Sequence, residues 1–101
     1  MIDFDSVVGF EWDSGNQRKS EVKHGVTQAE AEEIFFNQPL LVSADSKHSA
    51  QEPRYLALGK TNQARALTLI FTLRQDGTLV RVISARDQHR KERQLYDQAH
   101  T

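Results

Sequence analysis

The sequence predicts an α+β domain, with helices packed on an antiparallel sheet, and three observations carry that reading. Ala66–Arg74 and Leu79–Arg86 are apolar-rich runs separated by Asp76-Gly77, the strongest hairpin signal in the chain. Thr27-Gln28-Ala29-Glu30 is a T-x-x-E capping box that opens an amphipathic helix. The chain closes on a third helical stretch, Gln88 to Gln98. Consecutive strands joined by short loops make an antiparallel sheet. The expected order is a short N-terminal strand, two helices, a four-stranded antiparallel sheet and a C-terminal helix.

Phe10-Glu11-Trp12 alternates and reads as a short edge strand. Asp13-Ser14-Gly15-Asn16 supplies turn and N-cap chemistry for a helix from Gln17 to His24, stopped by Gly25, where a left-handed cap costs least. Only Val22 in that helix is strongly apolar, so it lies across the surface with Trp12 as its anchor. Val26 occupies the staple position before the capping box, and Ala31, Ile34 and Phe35 form the core stripe of the next helix. Asn37-Gln38-Pro39 ends it, because proline cannot continue a helix.

Leu40-Leu41-Val42 is a strand, and Ala44 to Pro53 a polar loop with His48 at its middle. Arg54 to Leu58 alternates as a strand stopped by Gly59, and Lys60 to Arg65 is a polar connection. In the first hairpin strand Leu67, Leu69, Phe71 and Leu73 share one face, with Thr68, Ile70, Thr72 and Arg74 on the other. Strict alternation in the second points Arg81, Ile83 and Ala85 one way, and Val80, Val82, Ser84 and Arg86 the other. Arg81 and Arg86 are then on opposite faces and do not serve one phosphate together. The closing helix sets Glu92, Leu95, Tyr96 and Ala99 on one stripe. A partly buried carboxylate needs a partner, and Arg86 or Arg81 is the natural one.

At 101 residues the chain has the size of one domain, spanning 1–101. No apolar run approaches the roughly 18 residues that cross a bilayer. The acidic start, MIDFDSVVGF, is unlike a secretory signal. There is no cysteine, hence no disulfide framework and no thiolate chemistry, and the expected compartment is the cytoplasm. The net charge of −1 hides a split: residues 1–50 hold nine Asp/Glu and four Lys/Arg, residues 51–101 five and nine. The basic half suits an anionic partner, whether nucleic acid, phosphate or an acidic protein, although solvated Arg gives the same count.

Metal and cofactor chemistry find no footing. His24, His48, His89 and His100 form no i, i+4 pair and have no H-E-x-x-H context, and no phosphate-cradling glycine loop or nucleophile elbow occurs. What remains is phosphodiester chemistry by electrostatics. Metal-free RNA cleavage needs a base for the ribose 2′-hydroxyl, cations for the charge growing on phosphorus oxygens, and an acid for the leaving 5′-oxygen. Arginine suits the second role because its planar fork matches phosphate oxygens in pairs. Arg81, Arg86, Arg90 and Arg93 gather at one strand-to-helix junction, with Arg54 and Arg74 on neighbouring strands. Lys23-His24 approaches from the first helix, and Glu92 or Tyr96 from the last.

Each of these has a plainer reading. His24 is also a helix C-cap, Arg86–Glu92 a structural ion pair, Tyr96 a core residue, and Arg90, Lys91 and Arg93 a solvated face or a dock for an acidic protein. Arg74 and Arg81 are harder to dismiss, since they interrupt apolar strands.

Four segments in order carry a resemblance: Phe10-Glu11-Trp12-Asp13; Lys23-His24-Gly25-Val26 with the acidic Ala29–Phe35 helix; Arg54-Tyr55-Leu56-Ala57-Leu58-Gly59; and Arg81 to Arg86 with Arg90 to Tyr96. Together they resemble the BrnT toxins of bacterial type II toxin–antitoxin systems. The resemblance implies a RelE-like ribonuclease fold and an RNA-cleaving activity that arrests growth, with no cofactor. It also implies a BrnA-type antitoxin that neutralises the toxin, carries the contact to operator DNA, and allows dimerisation within the complex. By their place in matching motifs, Lys23, His24, Arg54, Arg81, Arg86 and Glu92 are the catalytic candidates, with base and acid unassigned. Arg74, Arg90, Lys91, Arg93 and Tyr96 are the RNA-binding candidates. The rival reading is a non-catalytic module whose basic face binds a protein or nucleic acid. Direct DNA binding is disfavoured by the acidic first half and the lack of a helix-turn-helix pattern.

Overall fold

The computed structural model of the chain describes residues 3–13, 19, 21, 23–45 and 52–99 in full and His100 by its backbone. A short 3-10 turn, Phe4–Ser6, leads into β1, Gly9–Glu11. Then come α1, Gln28–Glu33, prolonged by a 3-10 turn over Ile34–Phe36, and β2, Leu41–Ala44. Three strands follow, β3 at Tyr55–Lys60, β4 at Ala66–Arg74 and β5 at Leu79–Asp87, and α2, Arg90–His100, closes the chain. The expected turn over residues 14–16 and the loop around His48 lie outside the described residues. So does most of the helix expected from Gln17, of which Lys19, Glu21, Lys23 and His24 are helical. Gly25 ends that segment at φ +65°, its amide donating to the Glu21 carbonyl at 3.0 Å.

The capping box forms as its sequence dictates. The Glu30 amide donates to Thr27 Oγ1 at 3.1 Å, and the Thr27 amide to Glu30 Oε1 at 3.0 Å. Val26, Ala31 and Ile34 are then buried against one face of the sheet, where Ala57, Leu67, Leu69, Phe71, Val80, Val82 and Ala85 meet them. Full burial of the Val, Leu, Ile and Phe side chains among them is worth about 1.5–3 kcal/mol each, which makes this face the main adhesive of the fold. Phe35 stands edge-on to Phe71, with centroids 5.4 Å apart.

The sheet departs from expectation. It has five strands in the order β1-β5-β4-β3-β2, and it is mixed. β2 to β5 are antiparallel neighbours, but β1 pairs parallel to β5, Phe10 opposite Val80. The three-residue strand gains its place by what it buries: Phe10 reaches the core face, 5.5 Å from the Phe35 ring. Trp12 donates from Nε1 to Glu32 of α1 at 2.7 Å, while the first helix, its expected anchorage, lies mostly outside the described residues. β3 also runs through Gly59 to Lys60 rather than stopping at the glycine.

The most consequential departure is a bulge. Ile70 pairs with Ser84 but Phe71 pairs with Val82, so β5 carries one extra residue, Ile83. Alternation is re-phased there. Val80, Val82 and Ala85 all bury on the core face, and Arg81 and Arg86 fall together on the opposite one. The expectation that parity separates these two arginines is therefore corrected by a single inserted residue.

Candidate functional site: an arginine-rich sheet face

The second face of the sheet is only half covered. α2 lies over one end, where Tyr96 is buried to 1% exposure and donates its hydroxyl to the Pro39 carbonyl. Pro53 touches the other end, its carbonyl accepting from the Thr72 hydroxyl. Cross-strand rows give the layout between. Thr72 is opposite Arg81, which is opposite Glu11 in β1. Arg54 directly precedes Tyr55, and its carbonyl carries the ladder one step on by accepting from the Asp45 amide. Alternation sets Arg54 on the same face, beside Thr72. Two rows away, Leu58, Thr68 and Arg86 stand side by side. At about 3.3 Å per residue, Arg81 and Arg86 are roughly 13 Å apart along the sheet. Leu56, Ile70 and Ser84 floor the space between them.

Each guanidinium described in detail on this face is already oriented by a carboxylate. Arg81 donates to Glu11 at 2.9 Å and to Asp13 at 3.3 Å. Arg74 donates to Glu52 at 3.3 Å. Arg86 forks onto Glu92, Nη1 to Oε1 at 2.8 Å and Nη2 to Oε2 at 2.9 Å. Glu92 also accepts from the Thr68 hydroxyl at 2.9 Å and from the His89 amide at 2.8 Å, which caps α2. Burial alone would raise the Glu92 pKa, but Arg86, the His89 amide and Thr68 outweigh it and hold the pKa at about 2. A carboxylate so fully bonded stays ionised near neutrality. Its two bonds to Arg86 fix that guanidinium to the helix.

The remaining sequence candidates sort by position. Arg90, Lys91 and Arg93 are exposed along the first turn of α2. Tyr96 packs beneath that helix, under the Lys60 ammonium at 5.7 Å, and presents no ring at the surface. Lys23 is exposed and His24 half-buried, at the end of the first helical segment. His24 lies close enough to Asp87 for its charge to help lower that carboxyl, after the larger effect of Arg65.

Arg65 is the residue that the sequence did not single out. Its Nε and Nη2 fork onto Asp87 at 2.8 and 3.2 Å, and Nη1 reaches Glu30 at 3.1 Å. Nη1 and Nη2 further donate to the carbonyls of Gly25 and His24, at 2.8 and 3.1 Å. One side chain thereby ties the first helix end, the α1 capping box and the end of β5 together. The Asp87 hydrogen bond is the main reason its own pKa is raised. Arg65 lies in a polar connection between strands, with no local pattern to mark it.

Among the described residues no group of three or more His, Cys, Asp or Glu side chains converges as a metal site. No described helix is long and apolar enough to cross a membrane. A family model described as the ribonuclease toxin BrnT of type II toxin–antitoxin systems matches residues 12–92. The chain belongs to the BrnT family.

That span begins at Trp12 and ends at Glu92, so the whole arginine face of this BrnT-family toxin falls inside it. Among solved structures, a 1.1 Å crystal structure of the Brucella abortus ribonuclease toxin BrnT is similar, with a TM-score of 0.62 and 22% identity. The match covers 83% of this chain and 100% of that one, and at such identity it speaks for the fold alone. No curated protein matches the sequence.

Proposed function

We propose that the chain is a metal-independent endoribonuclease toxin that acts in the cytoplasm and is neutralised by a BrnA-type antitoxin. The observation that carries this is the bulge at Ile83, which puts Arg86 on the same half-covered sheet face as Arg54, Arg74 and Arg81. RNA runs across that face, with Arg81 and Arg54 holding oxygens of the scissile phosphate and Arg86, roughly 13 Å along the sheet, meeting a phosphate further along the strand. Glu92 positions Arg86. Exposed Arg90, Lys91 and Arg93 draw in the flanking backbone. Imidazole is the side chain best suited to proton exchange near neutrality, but Arg65 holds His24 at the Asp87 end of β5, far from Arg81, so base and acid are left unassigned between His24 and Lys23. The 2′-oxygen attacks phosphorus, the bond to the 5′-oxygen breaks, and the proton lost at the 2′-hydroxyl is balanced by one delivered to the leaving oxygen. The products are a 2′,3′-cyclic phosphate and a free 5′-hydroxyl.

The test is cleavage of end-labelled RNA by the purified, folded chain in excess EDTA, read by the chemistry of the new ends, alongside growth of bacteria expressing it. Cleavage that survives EDTA and leaves cyclic phosphate is expected. Intact RNA and normal growth, with the folded chain accumulating, would leave only the rival, a non-catalytic module whose basic face binds a partner.

A further inference from the structure

On the core side of the sheet, beside β1, a cleft of about 370 Å³ stays open, lined by Phe4, Val8, Phe10, Phe35, Phe36 and their neighbours. None of its lining residues is charged. Two large apolar side chains stand at its mouth almost bare, Val8 at 81% exposure and Phe36 at 77%. An exposed apolar group of this kind, rimmed by polar residues, is the usual mark of a protein interface. Among the described residues β1 is the sheet edge and pairs only with β5, which leaves its other side free. The surroundings are acidic. Asp3 and Asp5 flank Phe4 in sequence and are both exposed, and the Val8 amide binds the Thr78 carbonyl, which brings the cleft up to the turn that carries exposed Asp76.

We infer that this cleft is the anchor site for the antitoxin, and that its occupant is a segment in which apolar side chains alternate with Lys or Arg. Apolar anchors fill the space beside Phe10 and Phe35, and the basic residues answer Asp3, Asp5 and Asp76. This rests on membership of a toxin–antitoxin family and on the surface itself, not on the catalytic reading. Phe10 and Val80 look to the core face whereas Arg81 and Arg86 look to the other, so the anchor and the arginine face are separate surfaces.

The experiment pairs the full chain with a BrnA-type antitoxin. Phe36→Glu and Val8→Glu alter exposed positions and leave the core intact, and thermal melts check that they fold. Each is expected to weaken the complex at least tenfold by calorimetry, and together they abolish co-purification. Asp5→Lys is expected to weaken it too and to flatten its salt dependence. Growth arrest by Phe36→Glu persists and is no longer relieved by co-expression of the antitoxin. Affinity within twofold of the parent for both Glu variants overturns the inference. So does sedimentation showing that the chain dimerises through the cleft while antitoxin affinity is unchanged. An inactive but tightly bound parent chain would instead sink the ribonuclease reading and leave this one standing.

Discussion

Arg86 and Glu92 face each other fork to fork, with both guanidinium Nη atoms on both carboxylate oxygens at 2.8 and 2.9 Å. The pair joins the last strand to the last helix, and the Thr68 hydroxyl and His89 amide complete its bonding. Glu92 has a pKa of about 2 in the fold against an ordinary 4.5. A carboxyl depressed in this way stabilises fully above its unfolded value and loses that contribution as pH falls toward the folded one. The contribution is on the order of 3 kcal/mol. Glu92→Gln is therefore expected to lose about 2–3 kcal/mol at pH 7 by urea unfolding. Between about pH 4.5 and 2 the variant should be less sensitive to acid than its parent. An unchanged acid profile would assign that transition to other carboxylates.

Arg81 and Arg86 should separate by what they control. The pair of Arg81 with Glu11 and Asp13 is partly open to solvent, and such pairs contribute only about 0–1 kcal/mol. Arg81→Ala should then keep nearly parental stability while RNA cleavage falls about a hundredfold or more, as when one preorganised transition-state donor is removed. Arg86→Ala should lose activity and stability together, since it leaves Glu92 half-buried and unpaired by charge. Rates on a defined RNA and melting of the same samples make the comparison. Parental cleavage by folded Arg81→Ala would reduce Arg81 to an edge-strand ion pair.

The elements were legible wherever one short segment held the whole signal. The Thr27–Glu30 box, the Gly25 cap, the Asp76-Gly77 hairpin and the two faces of β4 all depend on neighbours a few residues apart. The clamp between Glu92 and Arg86 was legible for the same reason, six residues apart on a predicted stripe. What escaped depends on distant partners. The parallel pairing of β1 joins residues about seventy positions apart. The bulge at Ile83 has no glycine to announce it and is visible only in how β5 meets β4. That one residue reversed the relation of Arg81 to Arg86, and the layout of the site with it.

Arg65 tests the same lesson energetically. It bonds Asp87, Glu30 and the carbonyls of Gly25 and His24, so its loss leaves several acceptors without their donor. Arg65→Ala is expected to lose about 2–3 kcal/mol, the range for breaking one partner of a hydrogen-bonded charge network. Arg65→Lys should recover less than half, because a single ammonium cannot span four acceptors as a planar fork does. If His24 serves catalysis, both variants should also lower RNA cleavage beyond their loss of folded protein, since the His24 carbonyl is tied down by Arg65. Full recovery by lysine would mean that charge alone matters here.

Gly59 offers the sharpest contrast between two glycines in strands. A Cβ at Gly59 would lie 2.8 Å from Ile34 Cβ and 3.4 Å from the Ile34 carbonyl oxygen, so backbone must move apart to admit it. At Gly9 a Cβ would meet Leu79 Cδ2 at 3.5 Å, an ordinary contact with the tip of a movable side chain. Neither has a positive φ, so the difference is one of space. Overpacking of this kind costs about 1–3 kcal/mol. Gly59→Ala should thus melt roughly 10 °C below the parent, at 4–8 °C per kcal/mol for a domain of this size. Gly9→Ala should stay within a few degrees of it. Trimming Ile34 to Val should not rescue Gly59→Ala, because the closest clash is with Cβ, which valine keeps. Equal melting of the two alanine variants would show that α1 and β3 can separate without cost.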